Sequence, residues 1–107
     1  MNLRKIDDRY AIAAQIQPAD VGQLAAAGYK GIVCARPDNE DPGQPSFAEI
    51  AAAAERAGIT AVHIPVSGML GEGQVIRMAQ ALEQIGGPIL GYCRSGGRAG
   101  SLYQAAA

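Results

Sequence analysis

Short apolar runs rich in β-forming residues alternate along this chain with stretches of about a dozen residues that carry helical spacing. The runs are "GIVCA" (31–35), "ITAVHIPV" (59–66) and "PILGY" (88–92). Between them, Ser46 with Glu49 opens one helical stretch as a capping box, and Val75, Met78, Ala79, Leu82 and Ile85 recur at helical intervals in another. Strands joined through helices can lie parallel, and right-handed βαβ crossovers place those helices on both faces of the sheet. The pattern predicts an α/β fold with a mainly parallel central sheet. Ligands of such sheets bind beyond the carboxyl ends of the strands. Cys93, Arg36 and the loop after Val66 all fall at that edge.

Ahead of the first of these runs, "LRKIDDRYAIAAQI" reads as an N-terminal β-hairpin turning at Asp7-Asp8-Arg9. Pro18 suits the first turn of a helix whose face holds Val21, Leu24 and Ala25 and which Gly28 caps. The second helix is predicted from Phe47 to about Ala57 with Gly58 as its cap, and the third from about Gln74 to Ile85, ended by Gly86-Gly87. The last begins near Ala99 and has barely two turns before the sequence stops. One domain over 1–107 is expected, with truncation after the last helix as an alternative.

Composition narrows the function. The chain is 49% hydrophobic, but much of that is alanine, with no Trp and one Phe, so the core is predicted to be Ile, Leu, Val and Ala. Nine basic and ten acidic residues are spread along the chain for a net charge of -1, which supplies no basic tract for nucleic acid. No apolar stretch approaches the roughly 20 residues of a membrane helix, and the N-terminus holds no signal-peptide core, so a cytoplasmic protein with no membrane partner is expected. Cys34 and Cys93 form no CxxC pair, and the lone His63 cannot complete a zinc site, so no metal or cofactor is expected.

The segment that promises chemistry is "GYCRSGGRAG" (91–100), in which a strand runs into Cys-Arg-Ser-Gly-Gly-Arg and then a helix. Glycines admit the left-handed dihedrals that turn successive N–H groups inward, and the helix N-terminus adds partial positive charge. That field holds an oxyanion, and it favours a thiolate, bringing a cysteine from about 8.5 to about 3.5–7.5. Cys93 is the candidate nucleophile, Arg98 the candidate fork for two oxyanion oxygens, and Arg94, Ser95, Gly96, Gly97 and Ala99 the candidate oxyanion cradle.

"YCRSGGRAG" resembles the active loop of the cysteine-phosphatase and rhodanese superfamilies. The longer pattern "GIVCARPDNED", "VHIPVSG" and "ILGYCRSGGRAGS" is similar to the bacterial β-lactamase-hydrolase-like phosphatase domain, over nearly the whole chain. The resemblance implies a protein-tyrosine-phosphatase-like three-layer sandwich, with Cys93 as nucleophile and Arg98 as the loop arginine. Dual-specificity phosphatases place five residues between cysteine and arginine. Here there are four, the length of the rhodanese-like loop. Those phosphatases also carry an acidic residue where this chain has Ser67-Gly68, which leaves Asp38, Glu40 and Glu72 as candidate general acids. His63 is expected to be structural rather than a base, Arg36 to anchor its loop, and Cys34 to pack in the core, with a reversible Cys34–Cys93 disulfide as a minor alternative.

The leading expectation is a cysteine-dependent phosphatase acting on a phosphorylated small molecule or phosphoprotein. The alternatives are a rhodanese-type sulfurtransferase, fed by a sulfane-sulfur donor and carrying a persulfide on Cys93, and a non-catalytic oxyanion-binding module.

Overall fold

The computed structural model describes residues 1–107. In chain order its elements are β1 (Leu3–Lys5), β2 (Tyr10–Ala13), a 3-10 turn (Pro18–Asp20), α1 (Val21–Ala26), β3 (Gly31–Cys34), α2 (Phe47–Ala57), β4 (Thr60–His63), α3 (Glu72–Ile85), β5 (Ile89–Tyr92) and α4 (Gly97–Ala106). They form one mixed sheet in the order β1-β2-β5-β3-β4, in which only β1 runs antiparallel to its neighbour. The strand that delivers Cys93 is therefore central, with Ile89 in register with Tyr10 on one side and Gly31 on the other.

Strands β2, β3 and β5 are buried at every position, which is why they read as unbroken apolar runs. The edge strand β1 is exposed throughout and carries Arg4 and Lys5, charges that discourage further strand pairing. The hairpin turn is held by Asp7, whose Oδ1 accepts from the N–H groups of Arg9 at 2.8 Å and Tyr10 at 3.0 Å.

Alternate strand residues serve opposite faces. Ala11, Ala13, Ile32, Cys34, Leu90 and Tyr92 pack with Val21 and Leu24 of α1 and Ile50, Ala53 and Ala54 of α2. Tyr10, Ile12, Val33 and Ile89 pack with Met78, Ala81 and Leu82 of α3 and Ala99, Leu102 and Tyr103 of α4. Three layers result, as the sequence predicts, and each fully buried Ile or Leu contributes on the order of 1.5–3 kcal/mol over exposure.

The structure corrects several local expectations. The first helix is split, because Pro18–Asp20 forms a 3-10 turn before α1. Only half of the Ser46 capping box forms: Ser46 Oγ accepts from Glu49 N–H at 3.2 Å, while Asp38 Oδ1 accepts from Phe47 N–H at 2.8 Å. Helix α3 begins at Glu72, two residues early, since Gln74 folds back to accept from Gly71 N–H at 2.6 Å. Helix α4 begins at Gly97 rather than Ala99 and has ten residues, so more of the cysteine loop belongs to its first turn. The core is not wholly aliphatic either: Tyr10 and Tyr92 are among its largest buried side chains. No helix is long and apolar enough to cross a membrane.

Candidate active site

Three parallel strands release their chains together. Beyond the strand ends, Ala35 N–H donates to Tyr92 O at 2.8 Å and Val66 N–H to Ala35 O at 3.1 Å, so the loops that follow leave the sheet in register. This brings the Arg36–Ser46 loop, the Val66–Gly71 loop and the Cys93 loop to one edge.

Cys93 lies at the bottom of its loop with no exposed surface. Gly96 takes a left-handed conformation (φ 97°), a backbone state that L side chains rarely adopt, and its N–H donates to Cys93 Sγ at 3.1 Å. Burial alone would push the thiol up. The N–H groups of Ala99, Ser95, Gly96 and Arg98 outweigh it and hold the thiol below its ordinary value of 9.0. Below the loop, Tyr10 stacks on Tyr103 with ring centroids 4.2 Å apart, and its hydroxyl donates to Ala99 O at 3.0 Å, tying β2 to the first turn of α4. Gly91 makes this approach possible, since a Cβ there would stand 1.9 Å from the Tyr10 hydroxyl.

Arg98 is held by an acidic partner 58 residues away in sequence. Its Nη1 and Nη2 donate to Glu40 Oε2 at 2.7 Å and Oε1 at 2.8 Å, and Nη1 also donates to Val66 O at 2.9 Å. Three of the five N–H donors of the guanidinium are thereby engaged, leaving the Nε–H and one Nη2–H. The paired Glu40 keeps Arg98 above its usual value, and the Cys93 sulfur adds to that effect.

The same carboxylate accepts from Arg36 Nε at 2.8 Å. Arg36 is 2% exposed and also donates to Gln15 Oε1 at 2.8 Å and to Asp41. Held by Arg98 first and Arg36 second, Glu40 is lowered to about 2.

These contacts sort the candidate general acids. Glu40 carries no proton at neutral pH, because two guanidiniums share its charge. Asp38 is committed to the start of α2. Glu72 sits in the first turn of α3, exposed and without a hydrogen-bond partner, and complements the helix dipole. His63 Nε2–H donates to Arg36 O at 2.7 Å and the ring stacks on Phe47, a structural placement. Arg36 anchors its loop as expected.

The cradle residues differ in how tightly they are held. Arg94 is 70% exposed by side chain and meets Asp41 at 3.2 Å. Ser95 Oγ accepts from Gly97 N–H at 3.4 Å, and Ala99 is buried. Cys34 belongs to the α1–α2 face of the sheet and Cys93 to the other. The layer of strands between them removes the disulfide alternative, and both cysteines are free. No group of three or more His, Cys, Asp or Glu side chains is placed to hold a metal ion.

The model of the phosphatase-like domain of β-lactamase hydrolase-like protein matches residues 2–107. The chain belongs to this family. The β-lactamase hydrolase-like protein of Agrobacterium fabrum is 39% identical over 104 residues, which are 96% of this chain and 24% of that protein. The chain thus spans about a quarter of the length of the curated relatives it matches. Among solved structures, a candidate phosphatase from Neisseria meningitidis superposes with a TM-score of 0.83 at 38% identity, over 92% of this chain and 71% of that one. Tk-PTP in its active form shares the fold, with a TM-score of 0.70 at 23% identity over 94% of this chain and 67% of that one. The three-layer arrangement is that of protein-tyrosine-phosphatase-like proteins.

Sequence reasoning missed Glu40 as the partner of both arginines, Gln15 and Asp41 as partners of Arg36, and the Tyr10–Gly91 contact. Only the last had a local signal, a glycine inside the apolar strand "PILGY".

Proposed function

We propose that the chain is a phosphatase that uses Cys93 as nucleophile and passes through a cysteinyl-phosphate. The observation that carries this is the convergence of the Ser95, Gly96, Arg98 and Ala99 N–H groups on the Cys93 sulfur, which favours the thiolate. The thiolate attacks phosphorus as the bond to the ester oxygen breaks, and the leaving alkoxide or phenoxide takes a proton from water. Water then attacks phosphorus, the S–P bond breaks, and inorganic phosphate and the thiolate are released.

The oxyanion cradle is the set of backbone N–H groups from Arg94 to Ala99 together with the two N–H groups of Arg98 that Glu40 and Val66 leave free. Glu40 acts as a positioning residue for Arg98 rather than as an acid. Because Cys93 is fully buried, an oxyanion reaches the sulfur as the atoms that cover it move aside. The substrate is a phosphorylated small molecule or phosphoprotein.

The four-residue spacing between Cys93 and Arg98 favours a second reading, sulfur transfer through a Cys93 persulfide, since a shorter ring suits one sulfur atom. One pair of assays separates the two: release of phosphate from an aryl phosphate, and thiocyanate formation from thiosulfate and cyanide. Phosphate release that disappears in Cys93→Ser is the expected result. Thiocyanate formation without phosphate release overturns it.

A further inference from the structure

We infer that the cleft beside Arg98 binds the organic part of the substrate, and that the substrates it serves are phosphate esters of apolar phenols larger than a single ring. The inference rests on the phosphatase reading above and adds the substrate class.

The cleft, ≈ 530 Å³, lies between the Val66–Gly71 loop and the first turns of α4. Val66, Met69 and Leu70 form one wall, and Arg98 and Ser101 stand on the other. Its volume is within the range of about 300–1,000 Å³ that holds small organic ligands, and it exceeds what a phosphoryl group bound at the cysteine loop requires. Arg98 contributes to both the loop and the cleft, so a phosphoryl group at Cys93 directs its ester substituent there. Met69 is 93% exposed at this mouth, and a ligand that covers it removes apolar surface from water.

A second opening, on the other side of α4, has a different character. It is smaller, at ≈ 180 Å³, and Arg4, Gln104 and Ser101 line it together with Ile6 and Ile12. An apolar substituent is therefore favoured on the Met69 side.

The chemistry of the leaving group points the same way. No carboxyl or imidazole group lines the larger cleft, and Glu40, the carboxylate nearest Arg98, is ionised. An ester oxygen that departs there leaves without a proton from the protein. Phenoxides tolerate this far better than simple alkoxides, because a phenol is the stronger acid. The P–O bond breaks with its electron pair on the phenol oxygen, which takes a proton from water.

The test compares phenyl phosphate with 2-naphthyl phosphate, whose leaving groups have nearly equal acidity, on the wild-type chain and on Met69→Ser and Leu70→Ser. The naphthyl ester should have kcat/KM about tenfold higher or more, the two substitutions should reduce that advantage to about twofold, and inhibition by inorganic phosphate should stay within about twofold. Calorimetry with 2-naphthylmethylphosphonate and methylphosphonate gives the same comparison without turnover. A preference of about tenfold that Met69→Ser abolishes supports the cleft even where hydrolysis is absent. Equal affinity and equal kcat/KM for the two ring sizes, or a naphthyl preference that survives both substitutions, overturns the inference. Turnover that persists in Cys93→Ser instead overturns the phosphatase reading.

Discussion

Cys34 ends β3, Cys93 follows the last residue of β5, and the two strands are parallel neighbours with both thiols buried. Burial pushes either thiol up, because a thiolate gives up its water. At Cys34 burial prevails over the opposing pull of the Tyr92 hydroxyl and Arg36: its Sγ donates to Arg36 O at 3.3 Å, a bond only the neutral thiol can make, and its pKa is raised. At Cys93 the bonds run the other way. Backbone N–H groups point at the sulfur, and the pKa is lowered despite burial. The difference lies in which partner donates. A carbonyl that accepts from a thiol keeps it protonated, while a glycine-rich turn entering a helix draws the proton off.

The largest expected effect breaks the symmetry of the two cysteines outright. Cys93→Ser should lower aryl phosphate turnover by on the order of 10⁴-fold or more, with unchanged circular dichroism, because the hydroxyl is nearly isosteric but not ionised. Cys34→Ser should stay within about tenfold of wild type, since it alters core packing alone. Comparable losses in both variants would make the effect one of folding.

Arg98→Ala comes next. Losing an oxyanion donor should reduce turnover about 10²–10³-fold and weaken inhibition by phosphate. Arg98→Lys should recover only part, since an ammonium lacks the planar fork. The Cys93 thiol should nonetheless remain below 9.0 in Arg98→Ala, because backbone N–H groups hold it down. A thiol that returns to its ordinary value would shift the credit to the guanidinium.

What could be seen in the sequence was what local chemistry determines. The α/β layering, the N-terminal hairpin and the anion-holding character of "CRSGGR" follow from patterns within a few residues. The partner of Arg98 does not, because Glu40 meets it only once β3 and β5 are neighbours in the sheet. The separation of the two cysteines was hidden for a related reason. Each is visibly close to the active edge, but which face it serves depends on the register that sets Cys34 opposite Tyr92. Asp38 and Glu40 looked alike in the sequence, as two candidate general acids of one loop. The fold makes one a helix cap and the other a clamp on two arginines.

A smaller effect isolates the turn itself. Gly96→Ala would meet no severe contact, since its nearest neighbour, Ala13 O, is 3.5 Å from the added Cβ. Its cost is the left-handed backbone, about 1–2 kcal/mol in urea denaturation. As the residue relaxes, its N–H should leave the sulfur, so the Cys93 pKa should rise toward 9.0 while Cys34 is unaffected. Destabilisation without that rise would mean that the other N–H groups suffice.

The smallest effect reads both thiols at once, through pH. In Cys34→Ser, alkylation of Cys93 by iodoacetate should titrate with a midpoint below 9.0, and phosphate should protect it by filling the cradle. In Cys93→Ser, Cys34 should titrate above 9.0 and ignore phosphate. Both sulfurs are buried, so the midpoint rather than the absolute rate carries the information. Stability should follow the same signs. A depressed thiol adds stability that is present above its unfolded value and lost as pH falls through its folded value. The advantage of wild type over Cys93→Ser should therefore grow as pH rises toward 9.0. A raised thiol adds stability that is present below 9.0 and lost as pH rises through its folded value, so the advantage over Cys34→Ser should shrink in alkali. Urea denaturation of the three proteins from about pH 6 upward measures both slopes. Two slopes of the same sign would mean that hydrogen-bond direction does not distinguish these cysteines, and the Cys93 loop would then be no more than a turn.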